Sequence, residues 1–187
     1  NTLDIVRCFP EKFQVVGLAA HNNYRLLERQ VAAFRPSVVS LYDKEAAGIL
    51  AKRLKGTGTE VLAGPEGVIE IASLPAADRV VSAIVGSAGL LPTLSAIYAN
   101  KTVALANKET IVMAGELVMR EAKERNVAIL PVDSEHSALF QLLANGKRSE
   151  VKRVILTASG GPFLRLSEQK KRHVSSKEAL AHPTWKM

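Results

Sequence analysis

Cysteine is almost absent from the sequence, since Cys8 is the only one among its 187 residues. A single cysteine cannot form a disulfide within the chain, so packing rather than cross-linking must hold the fold together. Long apolar runs are missing too, because no stretch reaches the roughly 20 residues that a membrane-spanning helix needs. These two absences predict a chain that folds in a soluble, reducing compartment and does not enter a membrane.

Aromatic residues are also scarce, at 5% of the sequence. Lysine and arginine outnumber aspartate and glutamate by 25 to 18, but they are scattered along the chain. Neither zinc-finger spacing nor an aromatic-rich RNA-binding signature accompanies them. We therefore expect anionic small molecules, such as phosphorylated metabolites or dinucleotides, rather than nucleic acid as ligands.

Hydrophobic residues make up 47% of the sequence, which is enough to bury a core. Short runs rich in β-branched residues alternate with longer segments of helical period. This alternation predicts an α/β fold with a doubly wound, mostly parallel sheet. The predicted strands are Gln14–Ala20, Ser37–Tyr42, Glu60–Leu62, Arg79–Val85, Thr102–Leu105, Ala128–Pro131 and Val151–Thr157. The helical period is clearest at Tyr24, Leu27, Val31 and Phe34, and again at Ile111, Gly115, Val118 and Ala122.

Ligands of such sheets bind beyond the carboxyl ends of the strands, so the residues that follow each strand are the candidates for function. The rhythm of the sequence changes after Pro131, and we divide the chain into a first domain, 1–132, and the beginning of a second, 133–187. The sequence starts without methionine, inside an amphipathic helical pattern. We therefore expect the natural start to lie further upstream.

Asp133 and Glu135 lie two residues apart at the end of an apolar strand. In an extended chain, side chains at positions i and i+2 point the same way, and two converging carboxylates need a cation between them. Oxygen ligands without a cysteine or histidine cluster favour Mg²⁺ or Mn²⁺ over zinc. A second interpretation fits the spacing equally well: Asp133 caps the following helix, and Glu135 lies in its first turn.

The segment Asn107–Glu109 follows the strand that ends at Leu105. The ammonium of Lys108 could reach a substrate oxyanion there, and Asn107 could hydrogen-bond a cofactor amide. Helix capping explains Asn107 and Glu109 equally well, but it does not explain Lys108.

Two glycine motifs and the end of the sequence each have two interpretations. Gly86 and Gly89 suggest a close approach of the backbone to a nucleotide, although this spacing is common. Ser159 begins a Ser-Gly-Gly-Pro segment that either binds an anion with its amides or is a tight structural turn. His182 and Trp185 belong either to a lid over a site or simply to the end of the chain.

Five segments carry the strongest pattern, and they are Ala83–Leu90, Ala104–Glu109, Leu130–Ser137, Leu156–Phe163 and His182–Trp185. In this order and spacing they resemble the 1-deoxy-D-xylulose 5-phosphate reductoisomerases of the non-mevalonate isoprenoid pathway. The resemblance implies a Rossmann-like NADP-binding domain followed by the start of a catalytic domain. It also implies conversion of 1-deoxy-D-xylulose 5-phosphate to 2-C-methyl-D-erythritol 4-phosphate with NADPH and Mg²⁺, Mn²⁺ or Co²⁺. Members of the family are usually homodimers of the bacterial cytoplasm or the plastid stroma.

The resemblance also implies a role for individual residues. The implied metal ligands are Asp133 and Glu135, and the implied catalytic residues are Lys108, Glu135 and His182. The implied substrate-binding residues are Lys108, Ser134, Glu135, Ser159, His182 and Trp185. The implied cofactor-binding residues are Ala20, His21, Asn22, Asn23, Ile84, Gly86, Asn107, Lys108 and Glu109.

The sequence departs from the family pattern at three places. The family has a first strand and a GSTGSIG turn before the position of Asn1, and a third carboxylate ligand beyond that of Met187. We therefore expect a fragment of an active enzyme that is inactive alone; the alternatives are a nucleotide-binding or interaction module, and an ordinary dehydrogenase of the same fold. His21 and Asn22 stand where relatives usually carry glycine and then a basic residue, which leaves the choice between NADPH and NADH open.

Overall fold

The computed structural model describes residues 2–144, 146–155, 160–181 and 183. The chain divides into two compact units, Asn1–Asn145 and Gly146–Met187. This division reflects compactness, and the functional division that the sequence predicts after residue 132 is a different one that stays a prediction.

Strands and helices alternate through the first unit, which confirms the predicted α/β class. The strands are β1 (Gly17–Ala20), β2 (Val38–Leu41), β3 (Glu60–Ala63), β4 (Arg79–Ser82), β5 (Thr102–Leu105) and β6 (Ile129–Pro131). The helices are α1 (Thr2–Cys8), α2 (Tyr24–Phe34), α3 (Lys44–Arg53), α4 (Gly64–Ala72), α5 (Leu90–Tyr98), α6 (Lys108–Glu124) and α7 (Ser134–Ala144). A 3-10 turn, Ser87–Gly89, lies between β4 and α5. The sequence therefore located these six strands correctly, although several are shorter than predicted.

The strands form two parallel sheets in the described part of the chain, with the orders β1-β2-β3 and β4-β5-β6. Consecutive strands are neighbours in each sheet, as expected for right-handed βαβ units with a helix in every crossover. β1 and β4 each stand at the edge of their own sheet. The predicted α/β fold of parallel strands with flanking helices is confirmed, and no hydrogen bonds join β1 to β4 in the described part of the chain.

The core consists of two clusters, one for each sheet. All four residues of β2 are buried, because helices cover both faces of the strand. Gly67 allows α4 to lie directly on this sheet, since a Cβ atom there would be 2.7 Å from Ser40 Oγ. The first cluster is Leu27, Val31, Val39, Leu41, Ala46, Ala47, Leu50 and Leu54. The second cluster is Ala72, Leu94, Ala96, Ile97, Val103, Leu105, Val118 and Ala122.

The second unit contains only short elements among its described residues. These are a 3-10 turn (Arg148–Glu150), α8 (Glu168–Lys171) and α9 (Ser176–Leu180). The predicted strand Val151–Thr157 is wrong for residues 151–155, which have no regular structure. Val154 and Ile155 favour a strand by composition, but their side chains are 54% and 68% exposed. β-propensity depends on a packed neighbouring strand, and these residues have none among those the structure describes.

Candidate functional site

Lys108 and Asp133 meet at the carboxyl edge of the second sheet. β5 and β6 are parallel neighbours, so the residues that follow them lie side by side. Lys108 is the first residue of α6, and its Nζ lies 3.3 Å from Oδ2 of Asp133, just before α7. The Lys108 side chain is 62% exposed, whereas that of Asp133 is only 14% exposed. The structure thus brings together a shielded carboxylate and an accessible ammonium where the topology predicts a ligand site.

The environment of Asp133 keeps its carboxyl ionised. Burial by itself raises the pKa of Asp133, but the hydrogen bond and the charge of Lys108 lower it. The nearby charge of His136, whose Nδ1 is 3.8 Å from Oδ1, and the neighbouring Glu135 side chain lower it further. The net effect is a pKa below the usual value for aspartate, so this group is available as an anionic ligand at neutral pH.

Glu135 lies close to Asp133, but for a different reason from the one predicted. Strand β6 ends at Pro131 and α7 begins at Ser134, so the alternation of an extended strand does not apply to residues 133–135. Glu135 lies in the first turn of α7, as the capping interpretation predicts. Its contact with Asp133 keeps the cation interpretation open as well. Ser134 is the exposed first residue of the same helix.

Asn107 caps α6, as the sequence predicts. Its Oδ1 accepts a hydrogen bond from the backbone N–H of Thr110 at 3.1 Å. Its Nδ2 donates to the carbonyl oxygens of Ile84 and of Gly86, the latter at 3.1 Å. The side chain is therefore committed to the protein itself, while contact between this residue and a cofactor stays a prediction. Glu109 lies in the first turn of the helix.

The two positions after β4 that carry glycine, Gly86 and Gly89, require it for different physical reasons. Gly86 has φ 75° and ψ −160°, a region that is essentially restricted to glycine, and there is open space where its Cβ would be. A Cβ on Gly89 would instead overlap the Asn107 amide and the Ile84 carbonyl. Gly86 therefore leaves room for a ligand to approach the backbone, whereas the predicted close approach at Gly89 is to Asn107.

The carboxyl edge of the first sheet carries the other predicted cofactor residues. Ala20 ends β1, and the exposed His21, Asn22 and Asn23 follow it, with Asn23 capping α2 through a 3.0 Å bond to the N–H of Leu26. The His21 ring stacks on the ring of Tyr42, which directly follows β2, with centroids 5.6 Å apart and planes 20° apart.

Sequence reasoning did not select Tyr42 as a candidate. The signal that could have found it is its position immediately after a strand, in the same place relative to β2 as His21 has relative to β1. The parallel register of β1 and β2 makes these two positions neighbours.

Three predicted residues, Ser159, His182 and Trp185, lie outside the described residues, and their roles stay predictions. Gly160, which follows Ser159, has φ 82°, a backbone conformation that both an anion-binding nest and a tight turn use, so both interpretations stay open.

The carboxylate pair fits a hard divalent cation in chemistry but does not complete its ligand set. The described residues contain no group of three or more His, Cys, Asp and Glu side chains that could hold a metal. Mg²⁺ commonly takes one or two carboxylates and completes its coordination with water and substrate oxygens, so the chemistry of a carboxylate pair is compatible with such a site. As a separate finding, none of the helices in the described ranges is long and apolar enough to cross a membrane.

Two family models match most of the chain, and curated relatives match it along its whole length. The model for 1-deoxy-D-xylulose 5-phosphate reductoisomerase matches residues 1–115, and the model for the C-terminal domain of that enzyme matches residues 129–187. Proteins with this name from Chlorobium phaeobacteroides (strain BS1) and Geotalea uraniireducens are 51% and 50% identical over 187 residues. These matches cover 100% of this chain but 49% and 48% of the relatives. The chain therefore spans about half the length of the curated relatives it matches.

Solved structures give the same result. A DOX-P reductoisomerase in complex with NADPH, fosmidomycin and magnesium matches with a TM-score of 0.80 and 39% identity, over 100% of this chain and 48% of that one. The 1-deoxy-D-xylulose 5-phosphate reductoisomerase from Zymomonas mobilis, in complex with NADPH, matches with a TM-score of 0.83 and 38% identity over 97% of this chain and 48% of that one.

Proposed function

Since this chain belongs to the 1-deoxy-D-xylulose 5-phosphate reductoisomerase family, we propose that it forms part of an enzyme that converts 1-deoxy-D-xylulose 5-phosphate to 2-C-methyl-D-erythritol 4-phosphate. The observation that carries the proposal is the cluster of Lys108, Asp133 and Glu135 at the carboxyl ends of β5 and β6. The reaction needs rearrangement of a ketose phosphate skeleton followed by hydride transfer, and a carboxylate pair beside an ammonium suits the first step.

Asp133 and Glu135 are the proposed protein ligands of Mg²⁺ or Mn²⁺. A divalent cation bound there would polarise the substrate carbonyl as a Lewis acid. The lowered pKa of Asp133 supports this role, because a metal ligand must be ionised. Ser134, exposed beside the two carboxylates, is proposed to hydrogen-bond the substrate.

Lys108 is proposed to hold the oxygens of the substrate. Its ammonium is exposed and already compensates the charge of Asp133, so it can be shared with an anionic group that approaches from solvent. Lys108 is the first residue of α6. A bound anion would therefore interact with the Lys108 charge without any displacement of the helix.

NADPH is the proposed hydride donor. Gly86 supports this proposal, because its glycine-only conformation and open surface allow the backbone to contact a cofactor. Asn107 is hydrogen-bonded to Ile84 and Gly86 of the same turn, and Glu109, in the first turn of α6, is proposed to contact the cofactor from there. On the first sheet, Ala20, His21, Asn22 and Asn23 are proposed to face the adenosine end, as expected for a turn after a parallel strand.

Ser159, His182 and Trp185 are proposed to contact the substrate, the last two from a segment that closes over it. Closure would exclude water from a reactive intermediate. The proposed functional boundary remains at residues 132 and 133, between the cofactor and the metal residues. The alternative of a mere binding or interaction module is not favoured, because both family models match an enzyme.

The experiment is an assay of the full-length protein with 1-deoxy-D-xylulose 5-phosphate, NADPH and Mg²⁺. We expect one NADPH to be oxidised for each 2-C-methyl-D-erythritol 4-phosphate formed, identified by NMR, and no reaction after metal chelation. NADPH oxidation without this product, or no reaction in the presence of Mg²⁺ and Mn²⁺, would contradict the proposal.

A further inference from the structure

A buried chain of hydrogen bonds connects α5 to the turn after β4. Thr93 is fully buried, and its Oγ1 donates to the carbonyl oxygen of Gly89 at 2.7 Å. Ser82 Oγ lies 2.7 Å from the same Oγ1. Because a hydroxyl has one hydrogen and Thr93 gives it to Gly89, Ser82 must be the donor to Thr93. The end of β4 and the 3-10 turn are thus fixed to one buried side chain.

The same turn is also fixed to the start of α6. The carbonyl oxygen of Ser82 accepts the backbone N–H groups of Ala106 and Asn107 at 2.9 and 3.2 Å. The Asn107 side chain returns to the turn and donates to the carbonyls of Ile84 and Gly86. Thr93, Ser82 and Asn107 therefore join three segments that are distant in sequence, and all three side chains are at most 6% exposed.

Two glycines tie the conformation of the turn to this network. Gly86 adopts a conformation that other residues rarely reach, and Gly89 is in direct contact with the Asn107 amide. Loss of the Thr93 hydroxyl would leave the buried Ser82 hydroxyl without its acceptor and would remove one of the donors to the Gly89 carbonyl, which as the N-cap carbonyl also accepts the first backbone N–H of α5. A buried polar group that has lost its hydrogen-bond partner is energetically unfavourable. We therefore expect the turn to shift to a conformation in which the group forms another hydrogen bond.

We propose that Thr93 is a positioning residue for the dinucleotide: its hydroxyl, acting through Ser82, Gly89 and Asn107, holds the Gly86 turn in the conformation that binds the cofactor. The inference rests on the proposed function, since it takes NADPH as the ligand of this turn. Thr93 itself is buried and does not touch the cofactor. Its effect should therefore be on NADPH affinity rather than on any step of the chemistry.

The test compares Thr93→Val with Thr93→Ser in the full-length protein. Valine keeps the volume of threonine and removes the hydroxyl, whereas serine keeps the hydroxyl and loses the methyl group. Thr110→Val is the matched control, because Thr110 is also fully buried and its Oγ1 has no hydrogen-bond partner among the described residues. Asn107→Ser tests the same network from α6, since serine still caps the helix but cannot donate to Ile84 and Gly86.

We measure the Kd for NADPH by fluorescence titration, well below the unfolding temperature of each variant, together with the KM for NADPH and kcat. Thr93→Val and Asn107→Ser should raise the Kd and KM about tenfold, the size of one lost buried hydrogen bond, with little change in kcat. Thr93→Ser and Thr110→Val should stay within about twofold of the wild type, below the effect of such a bond.

A purely structural role for Thr93 predicts that Thr93→Val lowers the free energy of unfolding, while the affinity of the folded protein for NADPH changes no more than in Thr110→Val. That result, or wild-type affinity in Thr93→Val, would overturn the inference and leave the proposed function intact. Absence of NADPH binding by the wild-type protein would overturn both.

Discussion

Lys108 Nζ and Asp133 Oδ2 are 3.3 Å apart although the two residues are separated by 25 positions in the chain. Each residue follows a strand of the same parallel sheet, and the adjacency of β5 and β6 places them together. In the proposed rearrangement of a phosphorylated ketose, the pair would supply a carboxylate ligand for a metal ion and an ammonium for the oxygens of the substrate. Because of this ion pair, the pKa of Asp133 reports whether the Lys108 charge is present beside it.

Lys108→Gln should raise the pKa of Asp133, because the charge and hydrogen bond of Lys108 no longer offset the effect of burial, which raises this pKa. A carboxyl whose folded pKa is lowered stabilises the protein at pH values above its unfolded pKa, and this contribution is lost as the pH falls through the folded pKa. The variant should therefore be less stable than the wild type near neutral pH, and the difference should shrink on acidification. Carbon-13 NMR titration of Asp133 measures the shift.

The control is Lys52→Gln on α3, which removes the same charge from an exposed position away from Asp133. An unchanged pKa of Asp133 in Lys108→Gln, or an equal change in both variants, would show that the ion pair does not set the ionisation of the site.

Gly86→Ala should lower the free energy of unfolding by about 1–3 kcal/mol, the usual cost of a non-glycine residue in such a backbone conformation. The control is Gly48→Ala, inside α3 with open space where its Cβ would be, which should stabilise the protein by about 0.5–1 kcal/mol. Urea denaturation of the full-length protein measures both values. Equal effects at the two positions would contradict the assigned conformation of Gly86.

Asn22→Arg should increase the preference for NADPH over NADH, because an arginine in the turn between β1 and α2 can pair with a 2′-phosphate. Asn22 is exposed, so the substitution should not disturb the fold. The measurement is the ratio of the two Kd values. Ala33→Arg, at an exposed position near the other end of α2, adds the same charge and should leave the ratio unchanged.

Tyr42→Ala should weaken NADPH and NADH equally, by about 5- to 100-fold, if the adenine ring stacks on the exposed His21–Tyr42 pair. Tyr42→Phe should retain binding, because stacking does not need the hydroxyl. Tyr98→Ala removes another exposed tyrosine, at the far end of α5, and should have no effect. Unchanged binding in Tyr42→Ala would remove the ring from the cofactor site.

The features that follow from strand order could be predicted from the sequence. Asp133 and Lys108 each follow a short apolar run, and the rule for parallel sheets is sufficient to expect them at one edge. The cap at Asn107 could also be predicted, because an N-cap needs only a local pattern of residue types. These are properties of short segments and of topology.

The features that depend on distant contacts could not be predicted. Gly89 is a glycine because of the Asn107 side chain, and Val154 and Ile155 are not in a strand because the described residues give them no partner strand. Likewise, Glu135 reaches Asp133 through the first turn of α7 rather than along a strand, since the chain turns into helix at Ser134. Composition does not contain this information.

Asp133→Asn in the full-length enzyme tests the metal site most directly. The substitution keeps the shape of the side chain and removes the negative charge, and Asp78→Asn makes the same change at an exposed position before β4. We expect Asp133→Asn to abolish turnover with Mg²⁺ or Mn²⁺ while the Kd for NADPH stays at the wild-type value, and Asp78→Asn to retain both. Unchanged metal-dependent turnover in Asp133→Asn would contradict the assignment of Asp133 as a metal ligand.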